Sequence, residues 1–61
     1  MKRNALIKHL SRHGCEIVRE GGRHSIWKNR HTGEMAAVPH HNEIKELMVR
    51  KICRDLGIAE P

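Results

Sequence analysis

Cys15-Glu16-Ile17-Val18-Arg19-Glu20-Gly21-Gly22-Arg23-His24-Ser25-Ile26-Trp27-Lys28-Asn29 is the stretch that sets the architecture. On either side of Gly21-Gly22, Ile17, Val18, Ile26 and Trp27 favour extended backbone. The glycine pair lets the chain reverse where a side chain would interfere. An antiparallel hairpin is therefore predicted, with strands over Cys15–Glu20 and Arg23–Asn29. The apolar residues come in adjacent pairs, Ile17-Val18 and Ile26-Trp27. Strict alternation is broken, so either member of each pair can face the core.

Arg30-His31-Thr32-Gly33 follows as a turn, with Gly33 where positive φ is expected. Glu34–Val38 is a third strand, stopped by Pro39. Before the hairpin, Asn4 is suited to an N-cap. Leu6, Ile7 and Leu10 then recur at helical spacing, and Gly14 can close the helix in a left-handed conformation with Cys15 packed back on Leu10. This predicts a helix over Ala5–His13. After the loop Pro39-His40-His41-Asn42, the residues Met48, Val49, Ile52, Cys53 and Leu56 share one arc of a second helix. Gly57 ends it, and Ile58 can pack back on Cys53. Ile44 is expected to pack where the chain enters this helix. Leu47 lies off the arc and is expected at the surface, as a partner contact. The order is α-β-β-β-α. A three-stranded antiparallel sheet needs cover, and two helices on one face supply it. The fold class is α+β, with the double-stranded-RNA-binding-like architecture.

The chain has 61 residues, which makes residues 1–61 a single domain with a small core. Lys and Arg number 12 against 7 Asp and Glu, a formal net charge of +5. That balance points to a polyanionic partner, nucleic acid or an acidic protein. The only two cysteines, Cys15 and Cys53, are too few for a disulfide framework and stand at apolar positions, so reduced core thiols are expected. Lys8 and His9 interrupt the first apolar stretch. No signal peptide or membrane span is expected, and the expected location is cytoplasmic.

His24 is the candidate for chemistry, against the plainer reading of a hairpin histidine with no chemical role. Histidine exchanges protons near neutral pH, and here it follows a hairpin and a fixed cation, Arg23. Neighbours on a strand point to opposite faces. Arg23 and His24 therefore converge only if Arg23 still belongs to the turn. Lys28 shares the face of His24 in a regular strand and is the cation best placed on that criterion. Arg19 lies across the hairpin. A phosphate-handling site needs a proton-exchanging group beside a fixed cation, and His24 with Arg23, Lys28 or Arg19 offers both. His40 and His41 are candidates for a second proton carrier. His9 and His13 stand i, i+4 on the first helix, but no third and fourth ligand stand at zinc spacing, so no metal or cofactor is assigned. Gly21-Gly22 lacks the further glycines and following helix of a nucleotide-binding loop. Trp27, the one aromatic residue, is a core residue and not a stacking platform.

The chain resembles the HicA family of mRNA interferase toxins. The resemblance runs through Leu6-Ile7 and Gly14, Val18-Arg19, Gly22-Arg23-His24 with Ile26-Trp27, Val38-Pro39-His40, Glu43-Ile44-Lys45, Arg50-Lys51-Ile52 and Leu56-Gly57-Ile58. It implies a metal-independent endoribonuclease that cuts mRNA with one histidine, His24. It also implies a protein partner, a HicB-type antitoxin that covers the site. Members often carry a small polar residue where this chain has Arg23, and Gly-Thr where it has Leu47-Met48. Two other readings fit fold and charge. One is a non-catalytic RNA-binding module, which has no use for a titrating group at His24. The other is a protein-interaction domain with a basic face.

Overall fold

A computed structural model describes residues 1–61. Its elements are α1 (Arg3–Arg12), β1 (Cys15–Glu20), β2 (His24–Asn29), β3 (Met35–Pro39) and α2 (Glu46–Leu56). The strands form one antiparallel sheet in the order β1-β2-β3. This is the predicted α-β-β-β-α topology. Helix α1 packs on β1, and α2 packs on β3 and β2.

Alternation along β2 sorts its two faces. Ser25, Trp27 and Asn29 are buried under the helices, while His24, Ile26 and Lys28 take the other face. The inward set of β2 meets Val38 and Ala36 of β3 and, at Asn29, Cys15 of β1. Cys15, Trp27, Ala36 and Val38 join Leu6 and Leu10 of α1, Ile44, and Val49, Ile52, Cys53 and Leu56 of α2 in one core. Trp27 is thus the core-facing member of its apolar pair. The other pair is resolved by a β-bulge. The register steps between Ile17, opposite Trp27, and Arg19, opposite Ile26, leaving Val18 unpaired. The bulge returns Arg19 to the open face beside Ile26, a common use of such an inserted residue. Ile17 and Val18 both remain substantially exposed.

Glycine closes both helices. Gly14 and Gly57 hold φ of +80° and +69°, and Ile58 N–H donates to the Cys53 carbonyl at 3.0 Å, as the C-terminal signals predict. Gly33 also has positive φ. Asn29 ties β2 to the end of α2: its side-chain amide donates to the Leu56 carbonyl at 2.8 Å, and its side-chain oxygen accepts the His31 N–H at 2.9 Å.

Four details differ from the sequence reading. Helix α1 begins at Arg3 and not at Ala5, and Asn4 is inside the helix and not its cap. The cause is non-local. Lys2 forms a β-bridge with Glu43, and the Arg3 N–H finds the Asn42 carbonyl at 2.9 Å, so a neighbouring segment satisfies the helix start in place of a side chain. Strand β2 begins at His24, with Arg23 in the turn. Strand β3 runs one residue later than predicted and includes Pro39, opposite His24. As an edge strand β3 tolerates a residue without an N–H. Met48, placed on the core arc by spacing, is 40% exposed, because it sits at the margin of the face that α2 turns to the sheet.

Candidate nucleic-acid interface

The β1–β2 turn is the starting point. The Gly21 N–H donates to the His24 carbonyl at 2.9 Å, closing the loop around Gly22 and Arg23. A β-carbon on Gly21 would stand 2.7 Å from that carbonyl oxygen. Gly21 is therefore required by close backbone approach. Gly22 faces open space, and neither glycine holds a positive φ.

This turn and the bulge bring Arg19, Gly21, Gly22, Arg23, His24 and Ile26 around one shallow concavity of about 300 Å³. Arg23, still in the turn, shares it with His24. Arg19 reaches it from β1, through its pairing with Ile26. His24 is exposed, as are Arg19 and Arg23. None of the three enters an ion pair. Lys28 keeps to the face of His24 but does not line the concavity. Four residues along a strand set it about 13 Å away, opposite Glu16 of β1 and Met35 of β3.

The other side of the same strand end holds a polar cluster that sequence reasoning missed. Ser25, next to His24, is fully buried. Its hydroxyl donates to Glu20 Oε1 and accepts from Arg3 Nη2 at 3.1 Å. Arg3 Nε also donates to the Pro39 carbonyl at 2.8 Å. His40 Nε2 lies 2.7 Å from Glu20 Oε1 and 3.2 Å from Ser25 Oγ. The Ser25 hydroxyl bond, with His40 and Arg3 behind it, holds the Glu20 carboxyl below the ordinary carboxylate range. Serine, histidine and glutamate together suggest a nucleophilic triad, but the geometry excludes one. Both partners meet the same ring nitrogen of His40, and Ser25 is sealed from solvent. The cluster instead fastens α1, β1, β2 and β3 together beneath the hairpin tip. Its one sequence signal is parity. Once Trp27 faces inward, Ser25 does too, and a buried hydroxyl requires partners.

His41 is exposed in the loop after β3, where it borders a separate hollow with Glu43, Ile44, Lys45 and Met48. His9 and His13 stack with ring centroids 4.2 Å apart. His9 Nε2 meets the Ala59 carbonyl at 2.7 Å, and His13 Nδ1 meets the His9 carbonyl at 2.9 Å. No group of three His, Cys, Asp or Glu side chains gathers anywhere in the chain. Cys15 and Cys53 are free and buried, and burial pushes both thiols up. Leu47 is 76% exposed. No helix is long and apolar enough to cross a membrane.

The chain is thus a basic α-β-β-β-α domain of double-stranded-RNA-binding-like architecture, with an exposed histidine and two unpaired arginines at one hairpin tip. The chain is a member of the HicA toxin family: the family described as HicA toxin of bacterial toxin-antitoxin matches residues 3–58. Membership makes it a toxin of a toxin–antitoxin system, from a family of ribonuclease-like toxins, with an antitoxin as partner. No curated protein and no solved structure matches the chain significantly.

Proposed function

We propose that the protein is a metal-independent mRNA endonuclease in which His24 transfers the proton and Arg23 and Arg19 hold the scissile phosphate. One observation carries this reading. The imidazole stands exposed in a concavity whose only charged neighbours are two arginines without carboxylate partners. RNA supplies its own nucleophile. Neutral His24 takes the 2′-hydroxyl proton as that oxygen attacks phosphorus. The arginines stabilise the added negative charge, and the 5′-oxygen leaves with a proton, giving a 2′,3′-cyclic phosphate. Neither His40 nor His41 lines this concavity, so the 5′-oxygen takes its proton from solvent water. Lys28 meets a phosphate further along the strand. A HicB-type antitoxin neutralises the toxin by covering this basic face with acidic side chains, and the setting is the cytoplasm.

The test is His24→Ala, assayed on mRNA in excess chelator. Loss of a positioned general base costs about 10²–10⁴-fold in rate. The variant is expected to keep its fold and its salt-sensitive RNA binding while losing cleavage. Cleavage at the wild-type rate by a folded variant rejects the proposal.

A further inference from the structure

A second concavity, of about 390 Å³, lies around the corner of the sheet from His24 and has no hydrophobic residue in its lining. Lys2, Arg3, Asn4, His40 and Asn42 form it. They come from the start of α1, the residue after β3 and the loop that follows. None is acidic. The two nearby carboxylates are already engaged, Glu20 with Ser25 and His40, and Glu43 with the terminal ammonium at 2.9 Å and Lys2 at 3.5 Å. Arg3 is anchored through Nε and Nη2, to Pro39 and Ser25, which leaves Nη1 to donate from a fixed position. His40 has Nδ1 uncommitted, since its contacts use Nε2. Lys2 remains 79% exposed at the rim, and the Asn4 and Asn42 amides add neutral donors. A guanidinium, an ammonium and an imidazole gathered over polar walls suit a tetrahedral oxyanion, and above all a phosphate.

The position identifies which phosphate. Pro39 pairs with His24, His40 is the next residue, and the His40 N–H donates to the Arg23 carbonyl at 3.1 Å. The two concavities therefore flank one strand end on opposite sides. We infer that this second concavity binds a phosphodiester of the same RNA, near the one held at His24, so that the strand wraps around the hairpin end of the sheet. This rests on the reading of His24 as a ribonuclease site. It deepens that reading by requiring a flexible single strand, since a rigid duplex cannot turn the corner.

The experiment measures binding of labelled single-stranded RNA to the full chain carrying His24→Ala, with and without Asn4→Asp, over a series of salt concentrations. Asn4→Asp puts a carboxylate inside the concavity and in the first turn of α1, which has no acidic residue. There it favours the helix, so thermal stability is expected to hold or rise while RNA affinity falls about three- to tenfold. The slope of log affinity against log salt is expected to shrink by about 0.7, one phosphate contact on a single strand. Arg12→Gln makes the same charge change eight residues along α1, about 12 Å away, and is expected to cost less than about twofold. Equal losses from Asn4→Asp and Arg12→Gln overturn the inference. A second arm titrates inorganic phosphate while following the His40 ring by NMR. If Asn4→Asp weakens phosphate but leaves RNA affinity unchanged, the hollow binds free phosphate and the RNA route is overturned. Because binding is read on an uncleaving variant, a failure of wild-type cleavage counts against the nuclease and not against this contact.

Discussion

Gly21 and Gly22 are adjacent and chemically identical, yet the structure separates them sharply. Alanine at position 21 must push its β-carbon from 2.7 Å to at least 3.4 Å from the His24 carbonyl oxygen to reach ordinary contact. That oxygen accepts the Gly21 N–H at 2.9 Å, and a retreat of this size carries the pair out of hydrogen-bond range. The lost bond costs about 1 kcal/mol, and strain in the tight loop adds about 1–3 kcal/mol. Reduced freedom of the unfolded chain returns about 0.4–1 kcal/mol. The net expectation for Gly21→Ala is a destabilisation of about 1–3.6 kcal/mol. In a domain of this size each kcal/mol shifts the melting point by about 4–8 °C. Gly22→Ala meets nothing within 4 Å and needs no positive φ, so only the unfolded-state term remains, and stability holds or rises by up to about 1 kcal/mol. Thermal and urea unfolding by circular dichroism measures both. Cleavage is expected to fall with Gly21→Ala, whose distortion is applied at His24 itself, and to persist with Gly22→Ala. Equal melting points for the two variants would refute the close-approach account of this turn.

Acid is expected to loosen the hairpin tip. Glu20 has its folded pKa depressed, first by the Ser25 hydroxyl and then by His40 and Arg3. Its contribution is complete above the ordinary glutamate pKa and drains away as pH falls through the lowered folded value. Unfolding titrations of wild type and Glu20→Gln should therefore converge at low pH, and a constant gap across that range contradicts the assignment. On α2, Ile52→Ala is expected to cost about 2–5 kcal/mol, because Ile52 is 2% exposed. Leu47→Ser should stay within about 0.5 kcal/mol, while weakening antitoxin binding if that exposed side chain is a contact; comparable melting points for the two variants would be inconsistent with the observed packing. Both thiols are buried and raised by that burial, so alkylation of the native protein should proceed at the rate of opening and not at that of an exposed cysteine.

What the sequence made legible was local. Gly14 and Gly57 mark helix ends because only a few residues near each fix that geometry, and the helical spacing of Leu6, Leu10, Val49, Ile52 and Leu56 needs no distant partner. What stayed hidden was set by segments far apart in the chain. Asn4 loses its capping role because Asn42 reaches the helix start first. The bulge at Val18 follows from how β1 must meet β2, and it moves Arg19 onto the open face. For the candidate site, the residues around His24 were readable, but their convergence depended on whether Arg23 lay in the turn, a matter of one residue. Ser25 carries no local signal beyond its place in a strand. Its burial with Arg3, Glu20 and His40 becomes visible once the inward face of β2 is known.

Trp27 is 6% exposed and its indole N–H has no acceptor, and the chain contains no tyrosine or phenylalanine. All near-ultraviolet absorption and intrinsic fluorescence from aromatic side chains thus originates in one ring, on the strand that carries His24 but on its opposite face. The protein comes with its own optical reporter: emission from that indole should redden when the core opens, and stay nearly unchanged when a ligand settles on the outer surface.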